Sequence, residues 1–465
     1  MDVDDDERID DTAPPNLNLE DIVQSAKLEN IKTSLDFIRE LKLASLDDGH
    51  LTPDVLSRLK NPLSGTIDLT ADEQLSLELF VATHNSSQHV YTSVKKAVER
   101  RFPGSKLLSL EKVKQLTTEI TGVSSISDHM CITSCVAYTG PFKTLEACPI
   151  CHEPRFDAQG KPRKVFLTIP VGPLLQALKR DKDRAIALRY RTLHTKALLS
   201  EIEKHDGFPN IYTDFFDGTQ YLESFDQGVI KEDDFVLMLS LDGAQLFSSK
   251  QSDCWVCIWV VLDHPPDLRY KKSYVLPAFI IPGPNGPRNM DSFMFRSLQH
   301  LVALQKDGLP LWDALKEVNV ISYPFFALAT ADGPGLTHMN GLVGHMGKNG
   351  CRMYCPTLGR RKPRDSHYYP ALLKPSPPYN VEGCNHNDPN LDDRNIFMPS
   401  VEKYQEKLRR LVSSRNETNY KANRLETGIF KPILFLGLEE THCLPIPLCF
   451  GSDIMHHSGL NLPDL

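Results

Sequence analysis

Between Asp234 and Gly335 the chain sets out short apolar runs in an order that admits few folds. Phe235–Leu241 is a compact apolar run that leads into Asp242-Gly243, Cys254–Leu262 is a second, bounded by Asp263-His264-Pro265-Pro266, and Tyr274–Ile281 is a third, closed by Pro282-Gly283-Pro284. Each has strand length, β-branched or aromatic enrichment, and turn residues after it. Met290–Lys306 carries a broad apolar face at helical spacing behind Asp291. A fourth run, Pro324–Ala331, leads into Asp332-Gly333-Pro334-Gly335, and a further helix is expected over about 336–345.

Three strands with short connections make an antiparallel meander, and the helix then allows a crossover to a parallel neighbour of the first strand. That is the RNase H-like order: an α/β fold with a mixed sheet flanked by helices. The expected organisation around it is a disordered acidic tail (1–17), a helical N-terminal region (18–125), a four-cysteine zinc-ribbon-like module (126–170), a helical linker region (171–230) and the core (231–465). Within the first of these helical regions, Ala71–Thr83, Val90–Arg101 and Ser109–Thr121 place apolar residues at three- and four-residue spacing, with Gly122 as a stop. The linker is read as Gly172–Leu178 followed by Arg184–Lys204, and a charged helix is expected over Val401–Asn416.

The two Asp-Gly pairs sit at corresponding ends of the first and fourth runs. A carboxylate there is costly to desolvate unless it holds a cation or a partner. If the two strands are neighbours, Asp242 and Asp332 converge, and hard oxygen ligands suit Mg²⁺ or Mn²⁺. The plainer alternative is that each Asp opens a turn, since Asp-Gly is a common turn dipeptide.

The eleven cysteines are grouped. Cys131-x3-Cys135 with Cys148-x2-Cys151 offers four thiolates for a structural zinc, with His152 a bystander. Cys351, Cys355, Cys384 and His386 form a second candidate zinc set, as an insertion in the core (about 346–390), so that a metal determination should give about two zinc ions per chain. Cys254 and Cys257 lie within one strand at odd spacing and are read as core residues.

Charge alone does not choose a partner. Residues 1–12 hold seven acids against Arg8, a net of −6, which leaves only −2 of the overall −8 to the rest of the chain. Arg360, Arg361, Lys362 and Arg364 form the densest basic run, suited to phosphates or to nuclear import, although short charge runs are commonly solvated loops. No stretch approaches the ~18 apolar residues of a membrane span, and the acidic N-terminus is unlike a secretory signal.

An ordered set of motifs resembles the CACTA (En/Spm-like) DNA transposases of fungal genomes. It comprises Leu239-Ser-Leu-Asp-Gly-Ala-Gln-Leu-Phe247, Lys250-Gln-Ser-Asp-Cys-Trp255, Asp267-Leu-Arg-Tyr-Lys-Lys272, Ala329-Thr-Ala-Asp-Gly-Pro-Gly335, Asn340-Gly-Leu-Val-Gly-His345, Gly350-Cys-Arg-Met-Tyr-Cys-Pro356 and Asp453-Ile-Met-His456. The resemblance implies a DDE/D-type enzyme that cuts transposon ends and joins them to target DNA, working in the nucleus on double-stranded DNA, commonly as a homo-oligomer. It places Asp242 and Asp332 at the first two acids, and Asp453 and His456 in a short motif before the third. That third acid is expected downstream of Leu465, in a chain truncated at its C-terminus; Glu439, Glu440 and Asp453 are the in-chain alternatives. A catalytically inactive DNA- or protein-binding relic is the competing reading, and a nuclease acting on RNA–DNA hybrids a third.

Overall fold

The computed structural model describes residues 19–65, 67–205, 209, 211–245, 253–355, 357–361, 366–368 and 400–451. The chain forms two compact units: one of residues 40–335 with 437–444, the other of residues 1–39, 336–436 and 445–465.

In the larger unit the apolar runs pair as their spacing predicts. The strands are β1 (Ile126–His129), β2 (Val165–Thr168), β3 (Val236–Gln245), β4 (Asp253–Val261), β5 (Leu276–Ile281), β6 (Leu309–Asp313), β7 (Val318–Ser322) and β8 (Phe325–Ala331). Six of them make one mixed sheet in the order β1-β2-β5-β4-β3-β8. The β3–β4–β5 part is an antiparallel meander, and β8 returns parallel to β3, with Leu241 opposite Ala331. This is the mixed α/β architecture expected from the order of the runs.

One face of the sheet is closed. Leu237, Leu239, Leu241, Cys257, Trp259 and Phe279 have essentially no exposed surface. The Met290–Asp307 helix packs here through Phe293 against Phe166, ring centroids 5.1 Å apart. That helix is buried on nearly every side, which explains why its apolar pattern is too broad for a surface helix. Arg191, in the Tyr190–Ile202 helix, anchors the start of β3. Its guanidinium meets Asp263 at 2.6 Å and donates to the carbonyls of Lys231, Glu232 and Asp234, while Asp263 accepts from the Val236 amide.

Three local differences from the sequence reading have physical causes. β3 does not turn at Asp242-Gly243 but runs on to Gln245, because Gly243, Ala244 and Gln245 stay paired with Trp255, Cys254 and Asp253. Ladder hydrogen bonds outweigh the turn preference of the dipeptide. The β6–β7 hairpin was not anticipated; its runs are short and Pro310 interrupts the first. The stretch 184–204 is two helices, Lys182–Ala187 and Tyr190–Ile202. The last of the N-terminal helices keeps the stop marked in the sequence, with Ser109 capping Leu110–Thr121 and Gly122 ending it at φ 70°, while Thr70 and Glu73 form a reciprocal cap that the sequence reading did not single out.

The Val171–Arg180 helix approaches the Met290–Asp307 helix at Gly172, where a Cβ would come within 2.9 Å of His300 Nε2. The Gly172 amide donates to that nitrogen at 3.1 Å. His300 Nδ1 therefore carries the proton and donates to His50 Nε2 at 3.1 Å, and His50 Nδ1 donates to Asp48. Burial, together with His50, holds His300 neutral well below the usual histidine range. Burial also pulls His264 down to about 4, against Asp263 and with the help of Arg184 and Arg269. Burial pushes the Asp48 carboxyl up, but His50 and the Ser45 amide outweigh it and hold that carboxyl at about 2.

The two histidines have folded values below their unfolded ones, so the unfolded chain binds more protons once the pH falls below about 6.5. Stability should drop by roughly 1.4 kcal/mol per pH unit per histidine from there downward. The Asp48 contribution is lost later, below about 3.8. A melting temperature at pH 5.5 equal to or above that at pH 7.5 would contradict this.

The smaller unit is built on helices Leu19–Ser25, Val401–Val412 and Glu417–Thr427, with the first residues of Glu29–Lys42. Ile31, Leu35, Ile38, Leu342, Leu408 and Leu411 form the centre of its core. The helical N-terminal stretch thus divides between the units. No helix among the described residues is long and apolar enough to cross a membrane.

Candidate carboxylate and metal sites

The parallel register that ends with Leu241 opposite Ala331 puts Asp242 and Asp332 next in line on adjacent strands. Such neighbours lie roughly 5 Å apart across a sheet. Asp242 is exposed and Asp332 half-buried. The Gly335 amide donates to Asp332 Oδ1 at 2.6 Å, as in a helix N-cap. A Cβ on Gly335 would fall 2.7 Å from that same oxygen, so glycine is what lets the helix start close to the carboxylate. Asp332 has a structural task in addition to any chemical one.

Other expected acids lie elsewhere. Glu439 pairs with Lys306 at 3.4 Å and Glu440 with Lys42 at 3.6 Å. Cys443 bridges to Phe326, six residues before Asp332 on β8, which at about 3.3 Å per residue is some 20 Å away. Both glutamates are therefore at the opposite end of the strand. Asp453 and His456 lie outside the described residues.

The first cysteine set is assembled. The sulfurs of Cys131, Cys135, Cys148 and Cys151 all lie within 4.8 Å of one another, and the first three side chains are buried. Zn–S bonds of ~2.3 Å in a tetrahedron need sulfurs about 3.8 Å apart, which this cluster can supply. The chain turns tightly at each pair: Ser134 has φ 63° and His152 φ 61°, and the Ile150 amide points to Cys148 Sγ at 3.4 Å. His152 is outside the set, as expected. Thr133, missed in the sequence though it sits inside the first pair, places its hydroxyl 3.2 Å from the sulfurs of Cys131, Cys135 and Cys151.

The electrostatics of the cluster favour a cation. Burial pushes the Cys148 thiol up to about 12. At Cys151 burial also pushes upward, but hydrogen bonds from Thr133, the Glu153 backbone and the neighbouring thiols outweigh it and bring the thiol to about 6. A cation at the centre would supply the positive charge that a group of thiolates so close together calls for.

This module is not a separate bead on the chain. β1 and β2, which bracket it, are the first two strands at one edge of the main sheet. Its Cys135 carbonyl accepts from the Arg288 and Asn289 amides at 3.1 and 2.9 Å, the Ala137 amide donates to Ser292 Oγ at 2.9 Å, and Lys164 Nζ donates to the Gly283 carbonyl at 2.6 Å. Residues 282–289 follow β5, whose last residue Ile281 pairs with Trp255, itself opposite Gly243. The cysteine module and the two aspartates therefore occupy the same end of one sheet. Trp255, on the face opposite Asp242, lies where a Cβ on Gly243 would touch it at 3.1 Å.

Of the second set, Cys351 and Cys355 are adjacent and half-buried: the Cys351 thiol hydrogen-bonds Cys355, raising the former and lowering the latter to about 6. Cys384 and His386 lie outside the described residues, as do Lys362 and Arg364. Arg360 is only 3% exposed, so as folded its guanidinium is withdrawn from solvent, whereas Arg361 is exposed and lies over the Tyr368 ring at 5.3 Å. Cys254 and Cys257 are both buried, and burial raises both thiols, in keeping with a core role.

No curated protein matches the chain. Residues 224–364, the segment that holds β3, β4, β5, β8 and both aspartates, match the family model of the transposase family tnp2, and it is to that family that this part of the chain is similar.

Proposed function

We propose that this chain is the catalytic core of a DNA transposase of the CACTA type, fungal in kind, which cuts transposon ends and transfers them to target DNA in the nucleus, with two or more copies acting on paired ends. One observation supports it above the rest: the segment similar to transposases is the one whose parallel β3–β8 pairing sets Asp242 beside Asp332.

Asp242 and Asp332 are the residues that would hold Mg²⁺ or Mn²⁺. Two carboxylates at neighbouring strand ends repel each other, and a divalent cation relieves that repulsion. An ion held there would supply the positive charge that in-line displacement at phosphorus calls for. The chain's own part is positioning. The Gly335 amide fixes one oxygen of Asp332 and so orients the other, and Asp242 stands open to solvent where a DNA strand can reach it. The Cys131–Cys151 cluster would hold a structural zinc that keeps the 282–292 segment in place at this end of the sheet.

The test is cleavage of plasmid DNA carrying the terminal sequence of the element that encodes this chain, with Mn²⁺ and with chelator. Cuts at the element end that vanish with chelator are the expected result. Binding of that DNA without any cleavage would favour the inactive, DNA-binding reading instead.

A further inference from the structure

The smaller unit contains a recess of about 560 Å³ that the carboxylate chemistry does not use. Its walls come from three stretches of sequence. The Glu417–Thr427 helix contributes Lys421, Arg424 and Leu425, which at i, i+3 and i+4 share one helical face. The glycine-rich stretch 343–348 contributes Val343, His345, Met346 and Lys348. Close packing keeps that stretch tight: the Val343 amide donates to the Gly428 carbonyl at 2.9 Å, and a Cβ on Gly350 would fall 2.4 Å from the His345 carbonyl oxygen. Tyr368 completes the recess, its amide bound to the Met346 carbonyl at 3.0 Å and Arg361 over its ring.

The composition of the recess describes its ligand. Leu425 and Met346 are each 48% exposed, an apolar lining left open to solvent. Lys348 is met by Glu426 at 3.3 Å, so the charge offered to an anion comes from Lys421 and Arg424. An aromatic ring and apolar side chains beside two cations suit a molecule with a flat apolar part and a phosphate. A duplex keeps its bases stacked inside and cannot offer that flat part, whereas an unpaired nucleotide can.

We infer that this recess binds one unpaired nucleotide of a DNA strand, with the base against Tyr368, Met346 and Leu425 and the phosphate on Lys421 and Arg424. The inference rests on the reading of the chain as a DNA-processing protein and adds a site for strand separated from its complement, apart from the aspartates.

Fluorescence anisotropy with the full chain tests it, using labelled oligo(dT), a blunt duplex and thymidine monophosphate as competitor. Tyr368→Ala should weaken oligo(dT) binding about tenfold or more. Lys421→Ala with Arg424→Ala should do the same and lower the slope of log K against log salt by about 0.7, the value for one phosphate on a single strand. Duplex affinity should change far less. Lys421→Arg with Arg424→Lys should restore binding, and unchanged melting temperatures in all variants would show that the fold is intact.

Unaltered oligo(dT) binding in the alanine variants would overturn the inference. So would equal losses for strand and duplex, which mark a general phosphate patch, or displacement of the strand by the mononucleotide at equal concentration, which marks a free-nucleotide site. Element-end cleavage in the same variants reads the transposase proposal separately: absent cleavage by the wild type with intact strand binding sinks that proposal and leaves the recess.

Discussion

Asp242→Asn and Asp332→Asn should each reduce Mn²⁺-dependent cleavage at the element end by at least about a hundredfold. Even partners of metal ligands are worth about 10–100-fold in activity, and removing a direct charge-bearing ligand costs no less. The structure makes the two substitutions clean. Asp242 is exposed, so the isosteric amide should alter stability by no more than about 0.5 kcal/mol. Asparagine at 332 keeps an oxygen for the Gly335 amide and so keeps the helix start. A second readout is independent of turnover. Mn²⁺ should raise the melting temperature of the wild type, as any ligand of the native state does, and should not do so in either variant. Either variant retaining more than about a tenth of wild-type cleavage would rule that aspartate out as a ligand.

Loss of zinc should produce the largest change in stability. A structural Cys₄ zinc is worth on the order of 10 kcal/mol in small zinc modules at neutral pH. Here the module is also tied to the residues that precede and begin the Met290–Asp307 helix. Cys148→Ser, or a strong chelator, should remove zinc and lower the melting temperature. Hydrogen exchange should rise at the Ala137, Arg288 and Asn289 amides, whose partners the module positions or supplies. Metal analysis of the wild type should give one zinc for this cluster, and a second if Cys351 and Cys355 are joined by Cys384 and His386. Protein that purifies without zinc, or whose melting ignores the chelator, would remove the metal from the account. Binding should also release protons, since the thiols of the cluster that are still protonated must ionise to hold the metal; calorimetry in buffers of different ionisation enthalpy measures that release.

Much of this was legible in the chain itself because its signals are local. Strand-length apolar runs, Gly122 and the paired cysteines each act over a few residues, and each has its expected counterpart in the structure. The Asp-Gly dipeptides misled in one respect. Their turn preference is real, but at Asp242 a pairing partner fourteen residues on, Val256, kept the backbone extended. The β6–β7 hairpin was missed for a related reason: its five-residue strands find their partners in each other and in the Val171–Arg180 helix, where the Gln176 side chain donates to the Pro310 carbonyl and Lys179 pairs with Asp313.

Asp242 and Asp332 show where local information stops. Sequence alone determined that each follows an apolar run, that each precedes glycine, and that a helix lies between the two runs. The order of the runs pointed to β8 as a parallel neighbour of β3, but only the tertiary structure decided the register that brings the two aspartates abreast, and that the cysteine module, more than ninety residues before Asp242, stands at their end of the sheet. The reason is physical. Register and the docking of the module run through backbone amides and carbonyls, and every residue has that carbonyl and all but proline that amide, so the side-chain pattern narrows the partners of a strand without fixing its register. Closure of those long loops is settled by the burial of the whole apolar face, and that is a property of the assembled sheet.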